Sequence, residues 1–275
     1  MKIIVEAGGS KCRWALIGSH TQTFTSIGFN PNTSQSSVLA DAAYNINKTC
    51  VEAVEQIIFF GAGCGNNTNK QLVKEILYQA FECQDISVHT DLEAAAIAHF
   101  GNNCGIAAIL GTGAAAGCFN GKTITHQAPS LGFLMGDEGS GAYLGKMLVT
   151  KIIREELDSH LCSLFWEIHN TSASELIRSI YANKSANQQL ANFVPFIAQH
   201  SDYEDIKKLT TDAFNLFYEK HILPIKGDNE RVGLVGGIAH QFSKQIATIF
   251  YQKGIEVAIK QESFNDLLTH FSSDY

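Results

Sequence analysis

The chain has 275 residues, room for two modest domains or one large one, and its 45% hydrophobic and 17% charged content is that of a globular protein with a real core. A net charge of −7 at pH 7 and a pI near 5.8 argue against a nucleic-acid groove or an anionic membrane surface as partner. An acidic chain can still hold a polyphosphate, through backbone N–H groups and a divalent cation. Seven cysteines (12, 50, 64, 83, 104, 118 and 162) are scattered, odd in number and without a C-x-x-C, which speaks against zinc, iron–sulfur and disulfide frameworks. Met1-Lys2 leads straight into a strand pattern rather than a signal peptide, and the apolar region around 105–119 is cut by glycines and too short to span a bilayer. The reading is a soluble protein of the cytoplasm, with no membrane and no nucleic acid among its partners.

Three short strands open the chain, Lys2–Ala7, Cys12–Gly18 and Thr21–Ile27, forming a meander that ends at the polar break Phe29-Asn30-Pro31-Asn32. Val38, Leu39, Ala42, Ala43 and Ile46 stand at helical spacing within Ser34–Lys48. A buried strand, Gln56–Phe60, runs into Gly61-Ala62-Gly63-Cys64-Gly65, followed by an amphipathic helix Lys70–Ala80, a strand Asp85–His89 and an Ala-rich helix Leu92–Phe100. The order is βββαβαβα. At Cys104–Gly105 the cycle restarts with strands Gly105–Leu110, Ala114–Phe119 and Thr123–Gln127, the last two joined by the hairpin dipeptide Asn120-Gly121. A glycine-rich irregular stretch, Ala128–Gly141, precedes a long helix, Ala142–Leu157. Residues 160–225 are mostly helical, with a break near Thr171 and bends at Pro195 and Pro224. Strand Arg231–Val235, the pair Gly236-Gly237, a helix to about Tyr251, strand Gly254–Ile259 and helix Gln261–His270 complete the chain. Right-handed crossovers then predict an α/β protein of two domains around a cleft.

The duplication has a focus. Ala107–Gly117 reads A-A-I-L-G-T-G-A-A-A-G, a buried strand, a tight glycine turn and a returning strand, and Gly8-Gly9-Ser10 repeats that turn after Ile3–Ala7. Glycines there allow φ > 0 and let a ligand reach main-chain N–H groups, a nest suited to phosphate. Function is expected where the two tips face each other. Two imitations fail. Gly121-Lys122-Thr123 ends a would-be Walker loop whose first Gly position holds Ala116, and Gly61–Gly65 imitates a dinucleotide fingerprint with Asn66 in place of its third Gly.

These motifs carry a resemblance. H-T-D-L-E-A-A-A (89–96), G-T-G-A (111–114), L-G-F-L-M-G-D-E-G-S-G-A-Y-L-G (131–145), V-E-A-G-G-S-K (5–11), G-F-N-P-N (28–32) and L-V-G-G-I-A (234–239) resemble the N-acetylglucosamine kinase group of the BadF/BadG-type ATPase family, in the superfamily of hexokinases, actin and heat-shock chaperones. M-G-D-E-G-S is the most specific piece, and 158–228 carries no diagnostic motif. The resemblance implies two RNase H-like domains with mixed βββαβαβα sheets. They would be 1–104 with the C-terminal helix ~262–275, and 105–261 with a helical insertion at ~158–228. It implies a homodimer, with ATP and Mg²⁺ as cofactors and a small sugar as substrate.

On that resemblance Gly8, Gly9, Ser10, Lys11, Gly111, Thr112 and Gly113 hold the phosphates of ATP, and Gly236 and Gly237 let adenine and ribose lie on the backbone; read from spacing alone, these are hairpin turns and a close helix–strand packing. Glu6 stands where the superfamily usually has Asp and would hold Mg²⁺ through water. Asp91, between a strand and a helix, would be the general base that aims a hydroxyl at the γ-phosphate; Thr90-Asp91-Leu92-Glu93 also reads as a capping box, and the two roles are compatible. Asn30 and Asn32, Asn30 first, would meet sugar hydroxyls, and Asp137 sugar hydroxyls or the N-acetyl region, with Gly132 and Phe133 as walls of the pocket. The bland readings are an Asn-Pro-Asn turn at 30–32 and a helix N-cap made by Asp137 or Ser140. Leu131 stands where the family often has an aromatic. The function implied is phosphorylation of the 6-hydroxyl of an N-acetylated hexosamine, with glucosamine, N-acetylmuramic acid or glucose as alternative acceptors. Two rivals are an ATPase that activates a dehydratase, which lacks a cysteine pair in a clear motif here, and a sugar-sensing repressor, which lacks a preceding helix-turn-helix.

Overall fold

A computed structural model describes residues 1–272 other than Ser10 and Glu230. The chain divides into two compact units, one made of Met1–Asn103, Gly121–Thr123 and Ser263–Tyr275, the other of Cys104–Asn120 and Ile124–Glu262.

The first unit contains β1 (Lys2–Ala7), β2 (Lys11–Ile17), β3 (Gln22–Ile27), α1 (Ser36–Asn47), β4 (Gln56–Gly61), α2 (Asn67–Phe81), β5 (Asp85–Thr90) and α3 (Asp91–Phe100). Its sheet runs β3-β2-β1-β4-β5, antiparallel through the meander and parallel across β1, β4 and β5. Both faces are covered, which is why β1 reads as an unbroken apolar run instead of alternating. Ile3, Val5, Ile57 and Phe59 pack against Leu39 and Ala43 of α1 and Val73 and Leu77 of α2. On the other face Ile4, Ala15, Ile58 and Phe60 pack against Ala94 of α3 and against Phe264 and Leu267.

The second unit begins with β6 (Cys104–Leu110), β7 (Ala114–Asn120) and β8 (Ile124–Gln127), then α4 (Gly132–Met135) and α5 (Gly141–Ile153). Helices α6 (Ser159–His169), α7 (Ala173–Ala182), α8 (Ala186–Ala191), α9 (Val194–Gln199) and α10 (Glu204–Phe217) follow, the last continuing into a π-helical turn, Tyr218–Ile222. Strand β9 (Arg231–Val235), α11 (Gly237–Gln241), α12 (Ser243–Gln252) and β10 (Glu256–Lys260) close the unit. The sheet order is β10-β9-β6-β7-β8, the same alternation of parallel and antiparallel pairs as in the first unit. Its core joins Ile106, Ala108 and Leu110 to Leu144, Leu148 and Ile152 of α5 and to Phe214, Phe217, Ile246 and Phe250. The chain then returns to the first unit as α13 (Phe264–Ser272), which packs on α3, β1 and β2.

Several boundaries differ from the sequence reading, each for a local reason. Helix α2 starts at Asn67, not Lys70, because the Asn66 side chain accepts the Asn69 N–H at 2.8 Å and caps it. The helix expected over Ala142–Leu157 stops at Ile153, and Glu155 turns the chain away with φ +55°. Pro195 lies in the first turn of α9 rather than bending a helix, and Pro224 follows the π-helical turn. The helix expected to Tyr251 is broken at Phe242 into α11 and α12, the stretch Ala128–Gly141 contains the turn of helix α4, and the terminal helix begins at Phe264 instead of Gln261.

Candidate active site

In the first unit the parallel strands end in register. Ala7 of β1 pairs with Gly61 of β4, which pairs with Thr90 of β5, so Glu6, the 61–65 loop and Asp91 stand together at the carboxyl ends of three adjacent strands. At about 4.8 Å per strand, that row is roughly 10 Å wide, the place where open α/β sheets bind ligands.

Asp91 is the first residue of α3. Thr90 caps the helix by accepting the Glu93 N–H on its hydroxyl at 3.1 Å, and the Glu93 carboxylate accepts the Thr90 N–H at 2.8 Å. This reciprocal box fixes where Asp91 leaves the backbone. One Asp91 oxygen accepts the Leu92 N–H at 3.0 Å. Burial pushes the Asp91 carboxyl above its ordinary range; the bonds from Leu92 and its own N–H oppose this, and the Glu6 charge reinforces it. A carboxylate raised in this way is a better proton acceptor near neutral pH. Glu93 goes the other way. Burial would raise it, but bonds from His89 and Thr90 outweigh that and hold it at about 2. Two neighbouring carboxyls of one helical turn are thus pushed apart.

Asn30 accepts the Asn32 N–H on its side-chain oxygen at 2.9 Å, and Asn69 Nδ2 donates to both Asn32 Oδ1 and the Gly63 carbonyl at 2.7 Å. Gly63 has φ +80°, and a Cβ there would run into the Asn30 carboxamide. Gly63 and Asn69 therefore shape the Asn-Pro-Asn loop, and sequence reasoning missed both. Asn69 lay hidden as a polar residue in the first turn of an amphipathic helix; its offset of three from the capping Asn66 was the available signal.

Glu6 was expected beside Mg²⁺. Its carboxylate is instead engaged by Arg13 Nη2 at 2.8 Å, its cross-strand partner, and by the Ser263 hydroxyl, with the Arg13 guanidinium 5.1 Å over the Phe264 ring. A carboxylate already neutralised by a guanidinium is a poor host for a dication, and among the described residues no group of three His, Cys, Asp or Glu could hold a metal ion. With Oε2 engaged by Arg13 and Oε1 by Ser263, Glu6 is a poor direct ligand for a dication.

In the second unit Leu110 and Val235, the ends of β6 and β9, lead into the two glycine turns. Gly111 N–H donates to Gly113 O at 3.0 Å, and the Gly111 and Thr112 carbonyls accept from Gly141 and Ala142 at the start of α5 at 2.8 and 3.1 Å. The expected positive φ is absent from Gly8, Gly111 and Gly113. The turns close by hydrogen bonds instead, as Gly8 N–H does onto Lys11 O at 3.0 Å. Nothing lies within 4 Å of where a Cβ would sit on Gly111 or Gly237, so glycine there keeps the surface open. Gly236 is different. It has φ +137° and a Cβ would lie 2.7 Å from the Leu110 carbonyl carbon, so it allows the β9–α11 turn to meet the end of β6. Gly9 and Lys11 are exposed, and Ser10 lies outside the described residues.

Asp137 is buried, with φ +56°, and its carboxylate accepts the Ala114 N–H and lies against Gly113. Burial raises its carboxyl; the Ala114 bond, His221 and Lys146 work against that. Asp137 is not the N-cap of α5: Ser140 is, accepting the Tyr143 N–H at 3.2 Å. Glu138 accepts a bond from the buried His221 at 3.0 Å. Gly132 begins α4 with φ +68°. Phe133 lines an open cavity of about 650 Å³ together with Lys146, Thr150, Tyr181 and Leu190, its carbonyl accepting from Lys146 Nζ at 3.2 Å.

Among the described residues no helix is long and apolar enough to cross a membrane. Comparison with protein-family models finds no match, and comparison with curated proteins finds none either. Solved structures do match. A proposed N-acetylglucosamine kinase from Porphyromonas gingivalis superposes with a TM-score of 0.90 at 26% identity, over 100% of this chain and 99% of its own. A proposed N-acetylglucosamine kinase from Chromobacterium violaceum gives 0.64 at 19% identity, with 98% of each chain covered. A ROK family glucokinase from Streptomyces griseus, in complex with glucose and AMPPNP, gives 0.57 at 14% identity over 99% of this chain and 98% of its own. The chain has the two-domain fold of actin/hexokinase-like sugar kinases.

Proposed function

We propose that the chain is an ATP-dependent sugar kinase of the N-acetylglucosamine kinase group, transferring the γ-phosphoryl group to the 6-hydroxyl of an N-acetylated hexosamine. The observation that carries this is Asp91, fixed at the carboxyl ends of the parallel strands by the Thr90–Glu93 box and raised by burial. In the reaction the hydroxyl proton passes to the Asp91 carboxylate as the oxygen attacks the γ-phosphorus, and the bond to the ADP oxygen breaks. Asn30, in the loop for which Gly63 leaves room, orients the acceptor, and Asp137 accepts from its hydroxyls. The open backbone at Gly111 and Gly237 suits close approach of a nucleotide. The likeness to the P. gingivalis protein along the whole chain supports the acceptor class, and the nucleotide analogue bound to the S. griseus glucokinase supports ATP as donor.

The test is an ADP-release assay over N-acetylglucosamine, glucosamine, N-acetylmuramic acid and glucose. N-Acetylglucosamine should give the highest kcat/KM. Asp91→Asn should lower kcat by about 10³, within the range of general-base catalysis, with ATP affinity changed less than twofold. An Asp91→Asn protein keeping more than a tenth of the wild-type kcat removes Asp91 from the mechanism.

A further inference from the structure

The Met135–Ser140 loop has an unusual backbone and a buried support 83 residues further along the chain. Asp137 and Gly139 both sit at positive φ, +56° and +77°. An Asp held there needs surroundings that over-determine it. Helix α10 supplies a back-plate. A Cβ on Gly139 would lie 2.8 Å from Phe217 Cβ and 3.3 Å from the Ala213 carbonyl, so loop and helix touch backbone to side chain. Directly after Phe217 the helix changes pitch into the π-helical turn Tyr218–Ile222, and within it stands His221, 2% exposed. Such turns recur at functional sites because they re-aim a side chain at some loss of helix stability.

The His221 ring stacks on Phe217, 5.2 Å between centroids, and its Nε2 meets Glu138 Oε2 at 3.0 Å. A bond to a carboxylate puts a proton on Nε2. Nδ1 is buried and without a hydrogen-bond partner among the described residues, so the ring is held by this bond and by stacking. Glu138 adjoins Asp137, whose carboxylate accepts the Ala114 N–H and touches Gly113.

We infer that His221 is a positioning residue: its Nε2–H pins Glu138, which fixes the left-handed backbone at Asp137 and so sets the Asp137 carboxylate against the Gly111-Thr112-Gly113 turn. This rests on the proposed role of Asp137 toward the acceptor sugar for its kinetic consequence, and on geometry alone for its structural one. The experiment separates the two. His221→Leu fills the space without the donor, His221→Gln returns an N–H near the Nε2 position, and Glu138→Ala removes the acceptor from the opposite side. Amide hydrogen exchange at Ala114 is read in the ligand-free full chain, and KM for N-acetylglucosamine and for ATP by ADP release.

His221→Leu and Glu138→Ala should each speed Ala114 exchange at least tenfold and raise the sugar KM about tenfold, with the ATP KM within twofold. His221→Gln should bring both within threefold of wild type. If His221→Leu does not fold, Glu138→Ala carries the same test. Unchanged exchange at Ala114 in both variants overturns the inference. So does a His221→Gln protein as impaired as His221→Leu, which would make the ring a mere filler. A wild-type protein that phosphorylates no sugar removes the kinase reading instead, and Ala114 exchange then decides the positioning by itself.

Discussion

Glu93 is where the site's architecture can be weighed. Its carboxylate accepts the Thr90 N–H and lies 3.6 Å from His89 Nδ1, on a side chain only 12% exposed, and it is held at about 2 against an ordinary 4.5. A carboxyl depressed on folding adds stability above its unfolded value and loses it as pH falls through the folded one. At 1.36 kcal/mol per tenfold in proton affinity the upper bound is roughly 3 kcal/mol. Glu93→Gln keeps an acceptor for the Thr90 N–H, so the charge-dependent part lost is about 1–2 kcal/mol. For a chain of this size that is a fall in Tm of roughly 3–6 °C at pH 7. The sign gives the shape: wild type and Glu93→Gln should differ fully above pH 5, and the gap should shrink to less than half by pH 3. Thermal unfolding by circular dichroism from pH 3 to pH 7.5 reads it. A gap that stays constant, or widens as pH falls, refutes the assignment of Glu93 as the charged anchor of the turn that carries Asp91.

Three glycines make further tests. Gly236→Ala must place a methyl 2.7 Å from the Leu110 carbonyl carbon at φ +137° and should destabilise by about 2–4 kcal/mol; Gly237→Ala, with nothing within 4 Å, should unfold within about 0.5 kcal/mol of wild type and reveal itself in ATP affinity. Equal melting of wild type and Gly236→Ala would refute the close approach. Gly63→Ala pushes a methyl at the Asn30 carboxamide from a left-handed position. It should raise the sugar KM about tenfold with the ATP KM within twofold, and an unchanged sugar KM would separate Asn30 from acceptor binding.

Much of the fold was legible because both sheets are built from local signals. The apolar runs Ile3–Val5 and Ile57–Phe60 are buried on two faces, and Asn120-Gly121 turns with Gly121 at φ +90°. The restart of the βββ pattern near residue 104 gave the second sheet, and its order repeats that of the first. The helices from Ser159 to Phe217 were legible as helices, but their order of packing follows from aromatic contacts such as Phe165 with Phe193 and Phe196, which no spacing announces.

At the site the same divide holds. Thr90 and Glu93 are three residues apart, so the box that fixes Asp91 could be read from the chain. Arg13 could not be read as the partner of Glu6, because that pairing depends on the register of a hairpin, and Ser263 joins it from 257 residues away. The turns at Gly8 and at Gly111–Gly113 were expected to use φ > 0 and do not, whereas Gly236 does. Their hydrogen bonds close them, and Gly111 and Gly237 keep the surface bare. His221 marks the far limit of what spacing can reveal. Nothing in Y-E-K-H-I predicts a π-helical turn, and one residue of α-helical register would carry the ring about 100° around the helix axis, away from Glu138. A deletion or insertion of one residue in 218–222 should therefore act on Ala114 exchange as His221→Leu does, even with His221 itself retained, because the aim of the side chain and not its presence holds the loop.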